Sequence, residues 1–357
     1  MEFKELKKRL SSGGRLTENE AVELFNSDDI FSLGALADYI AEKKNKKRVN
    51  FIKNMHINPG NICINRCRFC AFSRNKGEKG AYAFSVKEML DKAKTAKGKI
   101  SEFHIVGGLN PEMGLDFYRE LFMRLKKAVP GVNIKALTAV EIDYISKISG
   151  MRIKNVLELL RDAGLDSMPG GGAEIFRGRV RNRLCPEKIP GSRWLHIMET
   201  AHNLGIKTTA TMLFGHLESY RDRVDHLRRL RALQDKTGGF LAFIPLPFQP
   251  KNSEIRASHP VSGLDIFKTI AVSRLYLDNF DHIKAYWIMT GEKLAQTCLR
   301  AGADDLDGTV IEEKISHMAG ADSKEYLTEG EIVSIIRKAG KIPVERDTFY
   351  KRLKVWS

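Results

Sequence analysis

The chain has 357 residues, 43% of them hydrophobic and 29% charged, with a formal net charge of +15. Apolar residues spread along the whole length exclude a disordered chain, and no apolar run approaches the roughly 18 residues of a membrane-spanning helix. The opening stretch MEFKELKKRL reads as a charged amphipathic helix without the apolar core of a secretory signal, so a cytoplasmic address is expected.

Residues 1–50 precede the first strand-like run and read as an N-terminal helical layer packed on a barrel built by residues 51–357, with Thr17-x-x-Glu20 in capping-box spacing. The basic run Lys43 to Arg48 carries no interleaved aromatics and reads as a solvated surface. Strands are then predicted at Phe51 to Asn58, Glu102 to Gly107, Val132 to Thr138 and Leu165 to Met168. Four more follow at Lys207 to Leu213, Phe240 to Pro245, His282 to Ile288 and Ala303 to Asp307. Helical periodicity occupies Val86 to Ala96, Leu115 to Ala128, Lys154 to Ala163, Trp194 to Leu204 and Arg221 to Gln234. Ser85-x-x-Glu88 and Thr328-x-x-Glu331 have capping-box spacing, and Gly164 and Gly205 stand where helices end. Eight strands alternating with helices predict an α/β fold, a (β/α)8 TIM-type barrel with an N-terminal helical extension. A doubly wound open sheet is the alternative, but no Gly-x-Gly-x-x-Gly turn follows the first strand. In a barrel, chemistry collects at the carboxyl ends of the strands.

Of five cysteines, Cys63, Cys67 and Cys70 fall within the segment NICINRCRFCAF directly after the first strand, while Cys185 and Cys298 stand alone. Five unevenly placed thiols do not make a disulfide framework, and three on one short loop point to metal. Three thiolates fill three positions of a tetrahedral or cubane site and leave the fourth open. A structural zinc site closes with a fourth ligand and is built from paired knuckles, and no second knuckle accompanies this one. An iron–sulfur cluster with one open iron is the better reading, and zinc is its competitor.

The Cys-x3-Cys-x2-Cys spacing with Phe69 before the last cysteine resembles the signature of the radical S-adenosylmethionine enzymes. That resemblance implies a [4Fe-4S] cluster held by Cys63, Cys67 and Cys70, with S-adenosylmethionine chelating the fourth iron and yielding a 5′-deoxyadenosyl radical. It also implies that Gly107 and Gly108 in HIVGGLNP lie against the methionyl group and that Thr211, Ile244 and Pro245 contact adenine. Glu141 in LTAVEI is a candidate for the ribose hydroxyls or, equally, a carboxylate at a helix N-terminus.

Longer stretches are similar to the aminofutalosine synthase family of menaquinone biosynthesis, among them HINPGNICINRCRFCAFSR, AGLDSMPGGGAEIF, TATMLFGHLESYRDRVDHLRRLR and IPVERDTFY. The resemblance runs from about residue 15 to residue 350. It implies addition of the 5′-deoxyadenosyl radical to 3-[(1-carboxyvinyl)oxy]benzoate, then rearrangement and decarboxylation to 6-amino-6-deoxyfutalosine, with an external reductant such as flavodoxin or ferredoxin. The sister family, dehypoxanthine futalosine cyclase, shares the cysteine spacing and the Gly-Gly-Gly-Ala-Glu run. Cys185 and Leu246 resemble the synthase, and Gly60 departs from the threonine expected there.

Glu174, after the fourth strand, is a candidate to bind ribose or hold an arginine, or else a structural loop carboxylate. A dianionic substrate calls for a guanidinium, with Arg181 the first candidate and Arg179 and Arg346 next. His216 either faces the adenine or substrate or is a hydrogen-bonded barrel histidine. Cys185 reads as a packed thiol, and Phe243 and Trp287 as barrel core. A zinc-dependent nucleic-acid-binding module is the alternative of another class. It fails on pattern, because the basic residues are scattered and no binding module appears, so neither nucleic acid nor membrane is an expected partner.

Overall fold

The computed structural model describes residues 2–256 and 261–356. Eleven strands are formed among the described residues: β1 Arg48–Ile52, β2 Asn54–Ile57, β3 Glu102–Ile105, β4 Asn133–Ala136, β5 Ser167–Met168, β6 Lys207–Phe214, β7 Phe240–Pro247, β8 His282–Ile283, β9 Asp305–Gly308, β10 Ile342–Arg346 and β11 Arg352–Val355. Strands β2 to β8 make one seven-stranded, wholly parallel sheet in sequential order. Single bridges carry the curl round: Lys284 after β8 pairs with Asp305 of β9, and Ile311 beyond β9 pairs with Met55 of β2. The result is a (β/α)8-like barrel, as the eight predicted strands required.

The first predicted strand is two strands. Residues Phe51 and Ile52 belong to β1, which pairs with β9 and β10 in a second, four-stranded sheet, whereas Asn54 onward pairs with β3. The break falls at Lys53, whose carbonyl accepts from Ser101 N–H at 2.8 Å, while the Asn54 side chain accepts from Val310 N–H at 2.8 Å. The seventh predicted strand is shortened, because Trp287–Thr290 turns helical and Trp287 donates its indole N–H to the Gly308 carbonyl at 2.8 Å. Strands β10 and β11 were not predicted; β10 extends the second sheet beside β1, and β11 closes its edge in antiparallel pairing.

The capping boxes at Thr17, Ser85 and Thr328 all form, each hydroxyl accepting from the N3 amide while the N3 glutamate accepts from the cap. Each satisfies two amides that helix starts leave without partners. Strands of a parallel barrel are covered on both faces, and accordingly β6 is buried from Thr208 to Phe214. Phe243 and Trp287 are fully buried core. The N-terminal helices Glu18–Asn26 and Ile30–Asn45 lie against Tyr220–Thr237 and Gly263–Tyr276 of the outer helical ring. No described helix is long and apolar enough to cross a membrane.

Candidate active site

At the carboxyl ends of the barrel strands lies a cavity of ≈ 330 Å3. Cys63, Cys67 and Cys70 all open onto it, as do Phe69, Gly107, Gly108, Glu141, Glu174, Thr211 and Ile244. Ten of the thirteen predicted site residues thus share one space. The other three, Arg181, His216 and Pro245, do not line it.

The cysteine loop is pinned from several sides. Ile64 N–H donates to Leu109 carbonyl at 3.1 Å, Arg68 N–H to Leu184 carbonyl at 3.0 Å, and Arg66 N–H to the Glu187 carboxylate. Gly108 shows why the strand-two motif is glycine: a Cβ there would stand 2.2 Å from the Ile62 carbonyl oxygen and 3.0 Å from Cys63 Cβ. The close neighbour is the cysteine loop itself, so this glycine sets how near the thiols come to the barrel mouth. Gly170 is similar. Its Cβ would meet the backbone of Thr209 and Ala210 at 2.7 Å, so the Gly-rich loop approaches β6 as closely as backbone allows. Gly60, where a threonine was expected, faces the Tyr82 carbonyl with 2.8 Å for a Cβ.

Glu141 is the carboxylate at a helix N-terminus, one of its two predicted uses. One oxygen accepts from Thr138 N–H and hydroxyl at 2.7 and 2.8 Å, completing a capping box for the helix Ala139–Ser149, and the other accepts from Gly107 N–H at 3.1 Å. Burial pushes its carboxyl up to about 7 against those hydrogen bonds. Glu174 adopts a left-handed backbone, φ +47°, and its Oε1 lies 2.5 Å from Lys188 Nζ. Burial raises the Glu174 carboxyl, but the Lys188 charge and hydrogen bond outweigh it and hold the group below the usual carboxylate range. Lys188 also stands 4.9 Å over the Phe69 ring, linking the Gly-rich loop to the cysteine loop. Thr211 donates its hydroxyl to the Gly170 carbonyl at 2.7 Å.

The three remaining candidates lie off the cavity lining and are engaged elsewhere. Arg181 is 2% exposed and donates to the carbonyls of Ile189, Ala173, Ile175 and Gly172 at 2.6–3.4 Å, so its guanidinium clamps the Gly-rich loop. Its runners-up are also engaged elsewhere: Arg179 pairs with Asp222 and Arg346 with the buried Asp305. His216 is the hydrogen-bonded barrel histidine, its Nε2 donating to Leu213 carbonyl at 2.9 Å and its Nδ1 2.9 Å from Glu218. Pro245 falls on the opposite face of β7 from Ile244 and Leu246, which do line the cavity. Cys185 is a packed thiol, 1% exposed. Lys188 was missed; it lies in NRLCPEK, singled out only for its cysteine.

Residues 57–230 match the family model of the radical SAM superfamily, and residues 237–356 that of the CofH/MqnC C-terminal region. The chain is 44% identical to the aminodeoxyfutalosine synthase of Thermus thermophilus, covering 98% of this chain and 95% of that one. It is also 45% identical to a 5-amino-6-(D-ribitylamino)uracil–L-tyrosine 4-hydroxyphenyl transferase of Methanopyrus kandleri, over 87% of this chain and 86% of that one. Among solved structures, methylornithine synthase superposes with a TM-score of 0.74 at 18% identity, over 94% of this chain and 95% of that one, which bears on the fold alone. The chain therefore belongs to the radical S-adenosylmethionine superfamily, in the group of aminodeoxyfutalosine synthase and its relatives with a CofH/MqnC C-terminal region.

Proposed function

We propose that this protein is an aminodeoxyfutalosine synthase, joining the 5′-deoxyadenosyl part of S-adenosylmethionine to 3-[(1-carboxyvinyl)oxy]benzoate with loss of carbon dioxide. The observation that carries the reading is the likeness to the Thermus enzyme across almost the full length of both chains, with the three loop cysteines opening onto one deep cavity.

The donor set fits a [4Fe-4S] cluster. A cubane takes one thiolate at each of three irons, so the sulfurs need not converge on a point. A single zinc ion requires such convergence, with Zn–S near about 2.3 Å. Cys63, Cys67 and Cys70 would hold the cluster, with S-adenosylmethionine bound beside it in the same cavity. When bound, this pair supplies a 5′-deoxyadenosyl radical, fed by a one-electron carrier such as a flavodoxin or ferredoxin.

The chain's own residues bind, orient and exclude water. Gly107 and Gly108 bring bare backbone to the rim beside the cysteine loop. Glu141, fixed by Gly107 and Thr138, presents a carboxylate to the ribose hydroxyls, with Thr211, Ile244 and Phe69 around the adenosine. Glu174, held by Lys188, faces the same space from the Gly-rich loop. Phe72, Val106, Leu109, Leu246 and Phe248 make much of the wall apolar, which shields a reactive intermediate from water.

Anaerobic incubation of reconstituted protein with S-adenosylmethionine, a strong reductant and the benzoate, read by mass spectrometry, tests the proposal. A covalent adenosine–arene adduct formed with methionine is expected. Free 5′-deoxyadenosine alone would keep the radical machinery and remove the substrate. The Methanopyrus relative supports a second reading, 4-hydroxyphenyl transfer from L-tyrosine to 5-amino-6-(D-ribitylamino)uracil, so that pair is the next to incubate.

A further inference from the structure

Beneath the rim, the cavity floor carries a row of basic side chains that the reading above leaves unused. His56 of β2, His104 of β3 and Lys135 of β4 are register partners across adjacent parallel strands, and all three line the cavity. They therefore point into the barrel at one height. His104 and Lys135 come three residues before Gly107 and Thr138, and His56 comes before the loop that bears the cysteines, so the row lies below the rim groups.

The two imidazoles stack, with centroids 4.5 Å apart and planes at 10°. His56 is only 6% exposed, and its buried Nε2 has no hydrogen-bond partner among the described residues. Burial holds both histidines below the usual range, and for His104 the neighbouring His56 and Lys135 add to it. Each ring is then neutral, with one N–H to donate. Lys135 gives one hydrogen bond to Glu102 at 2.8 Å, and an ammonium has three donors. The nearby acids are matched, Asp307 by Lys284 and Glu313 by His317. A buried ring nitrogen without a partner costs stability, which is recovered when a ligand supplies the partner.

We propose that the His56–His104–Lys135 row receives the arene carboxylate of the substrate, holding the benzoate at the barrel floor with its vinyl ether directed up toward the cysteine loop. The proposal rests on the synthase reading. The orientation follows from the chemistry: the alkene must meet the adenosyl group at the mouth, so the carboxylate at the far side of the ring goes to the floor. Two imidazole N–H groups and an ammonium suit a carboxylate that must be desolvated to enter.

The test compares binding of 3-[(1-carboxyvinyl)oxy]benzoate with that of the analogue whose arene carboxylate is a primary amide, by calorimetry on anaerobic holoenzyme. The wild type is expected to bind the acid at least tenfold more tightly than the amide. His56→Phe and His104→Phe keep the ring stack and remove the donors, and each is expected to weaken the acid tenfold or more while leaving the amide nearly unchanged. His104→Asn, which keeps a donor, is expected to recover part of the preference. Iron content and substrate-free release of 5′-deoxyadenosine should match the wild type, showing that the variants fold and carry the rim site intact. If the wild type turns the acid over but binds acid and amide alike, or if both Phe variants keep the preference, the role of the row is overturned while the synthase reading stands. If the wild type does not turn the acid over, the synthase reading falls and this proposal with it.

Discussion

Lys188 and Glu174 form a buried ion pair, Nζ to Oε1 2.5 Å, that ties the Gly-rich loop after β5 to the segment supporting the cysteine loop. The lysine side chain is 16% exposed and the glutamate 10%, so neither charge is well served by water. Removing one partner of such a pair leaves the other uncompensated and typically costs about 3–5 kcal/mol. Lys188→Met is expected to destabilise the protein on that scale in denaturant titration. Glu174→Gln added to Lys188→Met should return much of the loss. A single-variant stability equal to wild type would show that the pair does not hold these loops. Glu174→Gln alone is expected to lower product formation while iron content stays at the wild-type level.

The contact between Gly108 and the cysteine loop gives a sharper test of what that glycine does. A methyl group at Gly108 would stand 2.2 Å from the Ile62 carbonyl, a backbone atom that moves only if the loop moves. Gly108→Ala is therefore expected to lose most of its iron on anaerobic reconstitution, measured by iron stoichiometry and visible absorbance. Gly178→Ala is the control, since nothing lies within 4 Å of a Cβ there. Equal iron in both variants would mean that the loop tolerates displacement.

Arg181 is expected to behave as a clamp. Four of its hydrogen bonds go to carbonyls of residues 172, 173, 175 and 189, and it is 2% exposed. Arg181→Lys cannot span those acceptors, because an ammonium lacks the planar fork. Loss of stability by about 2 kcal/mol or more is expected, from unpaired buried carbonyls, with kcat reduced and the KM for the benzoate little changed. A raised KM at unchanged stability would restore Arg181 to the substrate site.

What could be read from the chain beforehand follows physical lines. The three cysteines and Gly107-Gly108 were legible because their chemistry is local: ligand spacing and a strand-to-loop turn are written in adjacent residues. All eight barrel strands were legible from apolar runs, yet the break at Lys53 was not, since it depends on distant partners, Ser101 N–H at the Lys53 carbonyl and Val310 N–H at the Asn54 side chain. The role of Arg181 was not legible, because a guanidinium beside a Gly-rich loop suits an anion and a ring of carbonyls equally well. His56, His104 and Lys135 lie 48 and 31 residues apart in sequence, and only strand register brings them into one row. Pro245 is the opposite case. Period-two alternation with Ile244 and Leu246 was enough to place it on the outer face of β7.

The last prediction concerns pH. Glu313 lines the cavity, caps the helix Ile315–Ala319 by accepting from Ser316 N–H at 2.9 Å, and lies 3.2 Å from His317 Nδ1. The Glu313 hydrogen bond, opposed by partial burial, raises the His317 imidazole from 6.5 to about 9. A group whose pKa is higher folded than unfolded stabilises fully below the unfolded value, and that contribution drains away as pH rises through the folded value. The Tm of the wild type should therefore fall between about pH 6.5 and 9 by an increment that His317→Gln lacks. The difference between the two proteins should be largest below pH 6.5 and smallest above 9. Parallel Tm curves across that window would remove His317 as the source, whereas convergence at high pH would establish that a charged histidine braces this wall of the cavity.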